Sequence, residues 1–338
     1  METALQDDDL LYAGIDEAGY GPLLGPLCVA MTVVRVRDVP ECPPDLWDLL
    51  DRAVCREGKD AGTSRLAVND SKRLKLANSS EKRHPLMHLE RGVLAFGAQC
   101  GGRELASTDE ELLEMLGVGL ACPWYTGAPR ALPLSTTAEH LGLLRSGLTA
   151  ALRQAGVEML DMHCRAVDEQ GFNSRLADVG VKSRVCSGMV GELMRRVWGS
   201  QACARCTDRP ARIVVDRQGG RRSYVGLLET ELPDGRVQVV RERPEGSVYD
   251  VTHADGRSLR VLFLTEAERQ HFPVALASMT AKLVRELAMA RFNRYWSSRA
   301  SELKPTAGYR TDARRWLADA ERLGAADASS LEGLCRNA

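Results

Sequence analysis

Long apolar runs are what this sequence most plainly lacks. No stretch approaches the ~18–20 apolar residues that a membrane-spanning helix needs. The acidic start, Met1 to Asp9, has neither the basic opening nor the apolar stretch of an export signal, so the expectation is a cytoplasmic protein. A charge excess is missing too. Lys+Arg of 45 against Asp+Glu of 46 leaves a net charge of −1, which excludes a uniformly basic protein that coats nucleic acid but not a local basic groove. Lysine is rare, 7 residues against 38 arginines, so a single arginine says little about function. Internal repeats and low-complexity tracts are absent. The ten cysteines form no dense framework and read as reduced thiols. Cys203 and Cys206 make a CxxC, but no second pair stands where a four-ligand zinc site needs one. Two ordinary thiols before a strand are the plainer reading.

What is present fits a folded globular chain of 338 residues, 44% hydrophobic and 27% charged. Leu10 to Asp16 is an apolar run ending in acid; Leu27 to Val36 is apolar and β-branched. With Gly19, Gly21 and Gly25 between them, they predict an antiparallel strand pair. Residues 38 to 65 carry a short predicted helix around Asp45 to Cys55, and residues 77 to 160 are the least legible third, apart from a predicted helix over Thr137 to Ala155. Lys182 to Trp198 is amphipathic at helical spacing, and Arg212 to Asp216 is another apolar run ending in acid. The pairs Asp234-Gly235 and Asp255-Gly256 predict hairpins within 225 to 264. A helix is predicted from Pro273 to Arg294, and a basic helical stretch from Thr311. Strands that end in acids and are followed by helices suggest a mixed α/β or α+β sheet.

Asp16, Glu17 and Asp216 at strand ends, with Glu286 on the helix after Pro273, supply an all-oxygen donor set that suits Mg²⁺ or Mn²⁺. Adjacent residues on a regular strand point to opposite faces, so Asp16 and Glu17 converge only if the strand ends or bends at Ala18-Gly19. Ser278, Lys282 and Glu286 stand four apart and form one polar stripe beside an apolar face. A Lys-to-Glu surface pair is the bland alternative. Asn69-Asp70-Ser71-Lys72 reads first as a helix N-cap, second as a phosphate contact through Ser71 and Lys72. His163 and His271 are isolated, and Trp124-Tyr125 and Tyr295-Trp296 read as packing rather than base stacking. Arg221 and Arg222 either line a groove or are solvated.

Taken in order, these segments resemble the type 2 ribonuclease H family (ribonuclease HII-like). Gly14 to Pro22 reads GIDEAGYGP, close to the family's GIDEAGRGP, and DSKRL at Asp70 to Leu74 is similar to its DSK-K-L segment. IVVD at Ile213 to Asp216 falls where the family closes a strand with its third acid. ASMTAKLVRE at Ala277 to Glu286 is similar to ASI-x-AK-x-x-RD, and GYRT at Gly308 to Thr311 to GY-x-T. VDEQGFNSRL at Val167 to Leu176 is a weaker match. The chain departs from the pattern in having Tyr20 for arginine, Glu286 for aspartate, and Arg217-Gln218-Gly219-Gly220 after Asp216.

The resemblance implies a ribonuclease H-like α/β (α+β) fold, a central mixed sheet flanked by helices. It implies one catalytic domain over 1–338, with insertions at about 37–66, 77–160 and 220–262 and a C-terminal helical segment at about 300–338. It implies an Mg²⁺- or Mn²⁺-dependent endonuclease that hydrolyses the RNA strand of RNA–DNA hybrids or cuts at embedded ribonucleotides. Catalysis and metal binding fall to Asp16, Glu17, Asp216 and Glu286. Backbone reading of a ribose 2′-OH falls to Gly19, Tyr20 and Gly21, sugar packing to Tyr309, and phosphate contacts to Ser71, Lys72, Ser278 and Lys282. The rival expectations are a binding protein of the same fold with catalysis lost, or a nuclease of that fold acting on another nucleic acid.

Overall fold

A computed structural model describes residues 9–39, 43–78, 80, 83–207, 209–217, 221–325 and 333–337. Expectations that fall on Gln218 to Gly220, or on 326–332 of the C-terminal segment, lie outside the described residues.

The first half of the chain runs β1 (Leu10–Ala18), β2 (Leu27–Val36), α1 (Leu46–Leu49), β3 (Val54–Cys55), β4 (Leu66–Ala67), α2 (Ser71–Leu74), α3 (Met87–Gly97), α4 (Asp109–Met115), α5 (Ala138–Gln154) and β5 (Val157–Val167). The second half runs α6 (Glu169–Val179), α7 (Lys182–Trp198), α8 (Gln201–Ala204), β6 (Ala211–Asp216), α9 (Val225–Glu231), β7 (Arg236–Arg243), β8 (Gly246–Thr252), β9 (Ser258–Leu264), α10 (Phe272–Ser297) and α11 (Arg310–Arg322). Seven strands form one mixed sheet in the order β5-β2-β1-β6-β9-β8-β7. β5, β2 and β1 pair antiparallel, β6 and β9 run parallel to β1, and β8 and β7 return antiparallel at the far edge. No helix of the described residues is long and apolar enough to cross a membrane.

Strand alternation divides the core into two layers. Leu10 and Tyr12 pack with α3, α5 and α10 on one face; Leu11, Ala13 and Ile15 pack with α7 on the other. A third cluster joins Trp124, Phe292, Trp296 and Trp316 around the C-terminal half of α10. Trp124, Tyr125 and Trp296 are buried, as the packing reading expects.

One glycine sets the geometry of everything that follows. A Cβ on Gly14 would lie 2.1 Å from the backbone nitrogen of Val274, so β1 and the first turn of α10 touch main chain to main chain. From that contact, two residues along β1 advance about 7 Å and four along α10 about 6 Å. Asp16 and Ser278 are therefore brought level.

Several expectations change. The Asp234-Gly235 pair precedes β7 instead of turning a hairpin, because Val225–Glu231 is helical; the hairpin turn is Pro244-Glu245. Asp255-Gly256 does turn β8 into β9. β5 (Val157–Val167) begins at the end of the least legible stretch, 77 to 160, and runs past it over residues for which no strand is expected. Its burial pattern is broken because its far edge is open.

Candidate active site

β1 and β6 lie side by side and parallel, with pairing up to Ile15 and Val215. Asp16 and Asp216 stand at the next level. β1 continues regularly through Ala18, so no bend brings Asp16 and Glu17 together. β6 ends at Asp216, which leaves Glu17 without a strand neighbour on that side, and its longer side chain shares the notch. Asp16 is buried and pushed well above the usual carboxylate range, first by burial and then by the charges of Glu17 and Asp216. Burial, with the charge of Asp216, pushes Glu17 up to about 7. Burial also raises Asp216, whose carboxylate accepts from the backbone N–H of Ala267 at 3.1 Å.

The fourth acid of this notch is Glu268, not Glu286. The chain turns through the left-handed residue Glu266 into a short 3₁₀ turn over Ala267–Arg269. Glu268 is thereby buried beside the strand ends, raised by burial and by the charge of Asp216, and in turn acts on Glu17. Its Oε2 is buried with no hydrogen-bond partner. Glu286, eight residues beyond Ser278, lies about 12 Å further along α10. There Lys282 holds it at 2.8 Å, the surface-pair alternative. The only sequence signal for Glu268 is an acid shortly before a helix, which by itself is commonplace.

The cationic and hydroxyl groups of the notch are local. Ser278 reaches Asp16 and favours its ionised form. With its hydroxyl proton directed to Asp16, its Oγ can accept from the Ser71 hydroxyl, 3.1 Å away, which ties α10 to α2. Asp70 caps α2 by accepting from the Lys72 N–H at 3.0 Å, as the N-cap reading expects. That cap aims the Lys72 ammonium at Glu17, Asp216 and Glu268, each of which its charge lowers.

The glycine loop beside the notch is held from three directions. Gly19 has φ +89°, and a Cβ there would meet Pro26 O at 2.6 Å and the Arg285 side chain at 2.7 Å. Buried Glu169 accepts from Gly25 N at 2.7 Å and Tyr125 Oη at 2.8 Å. Gly308 O accepts from Leu23 N at 2.9 Å and Leu24 N at 3.2 Å, while buried Arg285 donates to Leu24 O and Ala307 O. Arg336 is also buried against the loop, donating to Pro22 O, over the Phe172 ring. Glu169, Arg285 and Arg336 were not singled out by sequence; among 38 arginines these two carry no mark. The loop presents Tyr20 and the Gly308 turn presents Tyr309, 38% and 51% exposed. Gly21 is open: a Cβ there meets nothing within 4 Å.

An all-carboxylate set with one orphaned buried oxygen and mutually raised acids fits a hard divalent cation. Among the described residues no three acid, imidazole or thiol groups already stand in a coordinating arrangement, so a cation would have to draw the carboxylates in. Cys203 and Cys206 are buried free thiols, and the Cys206 thiol is spoken for by Ala202 O. His271 pairs with Tyr12, and His163 is packed against Gly117.

Solved structures of similar arrangement include the PCNA:RNase HII complex from Archaeoglobus fulgidus, at 17% identity over 97% of this chain and 94% of that one, TM-score 0.42. Bst-RNase HIII in complex with Mn²⁺ matches at 16% identity and TM-score 0.41; 97% of this chain is covered, but only 66% of that one, just under two thirds. Ribonuclease H2 from Pyrococcus horikoshii OT3 matches at 16% over 97% and 92%, TM-score 0.39. The chain resembles ribonucleases HII and HIII. No family model and no curated protein sequence matches it. The site described above rests on side-chain geometry and not on these likenesses.

Proposed function

We propose that this chain is an endonuclease that depends on Mg²⁺ or Mn²⁺ and hydrolyses the RNA strand of RNA–DNA hybrids, or cuts at ribonucleotides embedded in DNA. It acts as one catalytic domain with insertions, in the cytoplasm, where its thiols stay reduced. The observation that carries the reading is the convergence of Asp16, Glu17 and Asp216 at the ends of two parallel strands with Glu268 from the turn after β9, beside a glycine loop bearing Tyr20 and the Gly308 turn bearing Tyr309.

Asp16, Glu17, Asp216 and Glu268 would hold the cation, which supplies activation of a water and neutralisation of the leaving 3′-oxygen. Ser278 holds Asp16 in place and partly offsets the burial and neighbouring charges that favour its protonated form. Lys72 offsets the repulsion among the acids and stands ready to meet a phosphate. The backbone of Gly19 to Gly21 can approach a ribose closely at the Gly21 end, where no side chain stands and none lies near, while Gly19 is needed to let Pro26 and Arg285 pack against the loop. Tyr309, over which the Arg285 guanidinium lies 5.6 Å from the ring centroid, offers a face for the sugar. Tyr20 replaces a guanidinium with a ring, so substrate discrimination rests on backbone and stacking rather than on a fork-like phosphate contact.

The test is cleavage of a labelled DNA duplex carrying one ribonucleotide, beside a full RNA–DNA hybrid, with Mg²⁺, Mn²⁺ or EDTA, for wild type and Asp16→Asn. Cation-dependent cutting that disappears in the variant is expected. Hybrid binding without any cutting would replace the enzyme by a binding protein of this fold. Cutting of duplex DNA or duplex RNA in preference would replace the substrate.

A further inference from the structure

The edge of the sheet beyond the acids carries a concentration of arginine that the site does not use. Asp216 is level with Leu264, Leu264 with Gly246, and Gly246 with Arg243, across four adjacent strands. Three strand spacings put Arg243 about 14 Å from Asp216, at the same end of the sheet. Arg241 and Arg243 project from the same side of β7 and line a cleft of ≈ 440 Å³ that reaches Ala267, the residue whose N–H holds Asp216. Arg217, Arg222 and Arg243 line a second cleft of ≈ 510 Å³ that begins at the residue after Asp216. Arg221, beside Arg222, donates to Ser187 Oγ at 3.0 Å. Against these five arginines stand Glu242, whose carboxylate is engaged by Tyr249, and Glu245. The guanidinium groups of Arg222, Arg241 and Arg243 make no hydrogen bond or ion pair among the described residues, and all three are exposed.

We infer that this β7–β8 edge, with Arg217, Arg221 and Arg222, forms a track for the phosphodiester backbone of the nucleic acid. The track continues the active site outward by about 14 Å, or about four base-pair steps of 3.4 Å. The inference rests on the proposed nuclease reading and deepens it. Charge complementarity and continuity with the acid notch select the partner: a polyanion whose one phosphodiester lies at the carboxylates and that leaves the notch toward β7 passes its next phosphates over these clefts. The competing reason for charge on an edge strand is to deter pairing with another chain. That reason requires no affinity for nucleic acid.

The test uses the full chain with Arg222→Gln, Arg241→Gln and Arg243→Gln combined. Binding is measured in Ca²⁺ on a long (about 30 base pairs) and a short (about 10 base pairs) RNA–DNA hybrid across a salt series. The expected result for the long hybrid is at least about tenfold weaker binding and a log–log salt slope shallower by about 2 to 3. The short hybrid still spans the roughly four steps to the track, so its binding is expected to weaken in the same direction, while the thermal melt of the variant is expected to match wild type because only exposed side chains are replaced. Unchanged affinity and slope on the long hybrid, with wild-type cleavage, would overturn the track while leaving the nuclease. A wild-type chain that neither binds nor cuts either hybrid would overturn both.

Discussion

Lys282 Nζ meets Glu286 Oε1 at 2.8 Å, on a stretch of α10 that lies past the acid notch. That pairing separates the two glutamates by role. Glu268→Gln is expected to lower cleavage at least about a hundredfold, as loss of a group that acts on the reacting centre does. Glu286→Gln is expected to leave cleavage within about threefold and to cost no more than about 0.5 kcal/mol of stability. Single-turnover rates on one hybrid decide it; the reverse ranking would return the fourth acid to α10.

Divalent cations should be visible in stability without any substrate. Four buried or half-buried acids with raised proton affinity destabilise the folded chain at neutral pH, since the unfolded state ionises more easily. Asp16→Asn is therefore expected to melt higher than wild type in EDTA. A cation that binds only the folded chain at 100 times its Kd adds about 2.7 kcal/mol, and the variant should lose most of that gain. Thermal melts with Mg²⁺, Mn²⁺ and EDTA read both effects. Equal shifts in the two proteins would remove Asp16 from the ligand set.

Arg291 grips Asp109 with bonds of 2.7 and 2.8 Å, and both side chains are buried. The guanidinium, with the Arg130 backbone N–H, holds the Asp109 carboxyl below its usual range. A depressed carboxylate contributes stability above its unfolded pKa and loses it as pH falls through the folded value. Asp109→Asn should leave the arginine charge without its counter-ion, cost about 3 to 5 kcal/mol at pH 7, and flatten the acid limb of the stability curve below about pH 4. Denaturant melts across that range test it.

His271 supplies a second, distinct pH window. Burial, helped by Arg212, lowers its pKa from 6.5 to about 4, and its Nδ1 pairs with the Tyr12 hydroxyl. Between those two values the unfolded chain binds the extra proton, so stability rises with pH across the window. The expected loss on acidification from pH 6.5 to pH 4 is on the order of 3 kcal/mol. His271→Gln should remove that slope. A slope unchanged in the variant would assign the acid sensitivity elsewhere.

The strands that bear the site are legible in the chain because each is a short apolar run closed by an acid, with glycines at the turn between β1 and β2. The motif around Gly14 to Pro22 fixes two of the four acids, and Asp70 announces its own cap. Glu268 is not legible. Its role comes from a left-handed turn at Glu266 and from where β9 ends, and nothing in the letters TEAERQ marks either. Glu286 is misleading for the opposite reason: helical spacing places it correctly on a stripe with Ser278 and Lys282, but the stripe outruns the notch by two turns.

The sequence by itself determined that β1, β2 and β6 are strands and that α5, α7 and α10 are helices, where the glycine loop lies, and that oxygen donors are available at strand ends. These depend on neighbours a few residues away: alternation, helical spacing and turn chemistry. Only the tertiary structure decided which acids meet. The Gly14–Val274 backbone contact brings Asp16 level with Ser278. The end of β6 opens the notch for Glu17. The sheet register sets Arg243 about 14 Å from Asp216. Each of these joins segments far apart in the chain through close packing and strand pairing, which local residue preferences do not encode.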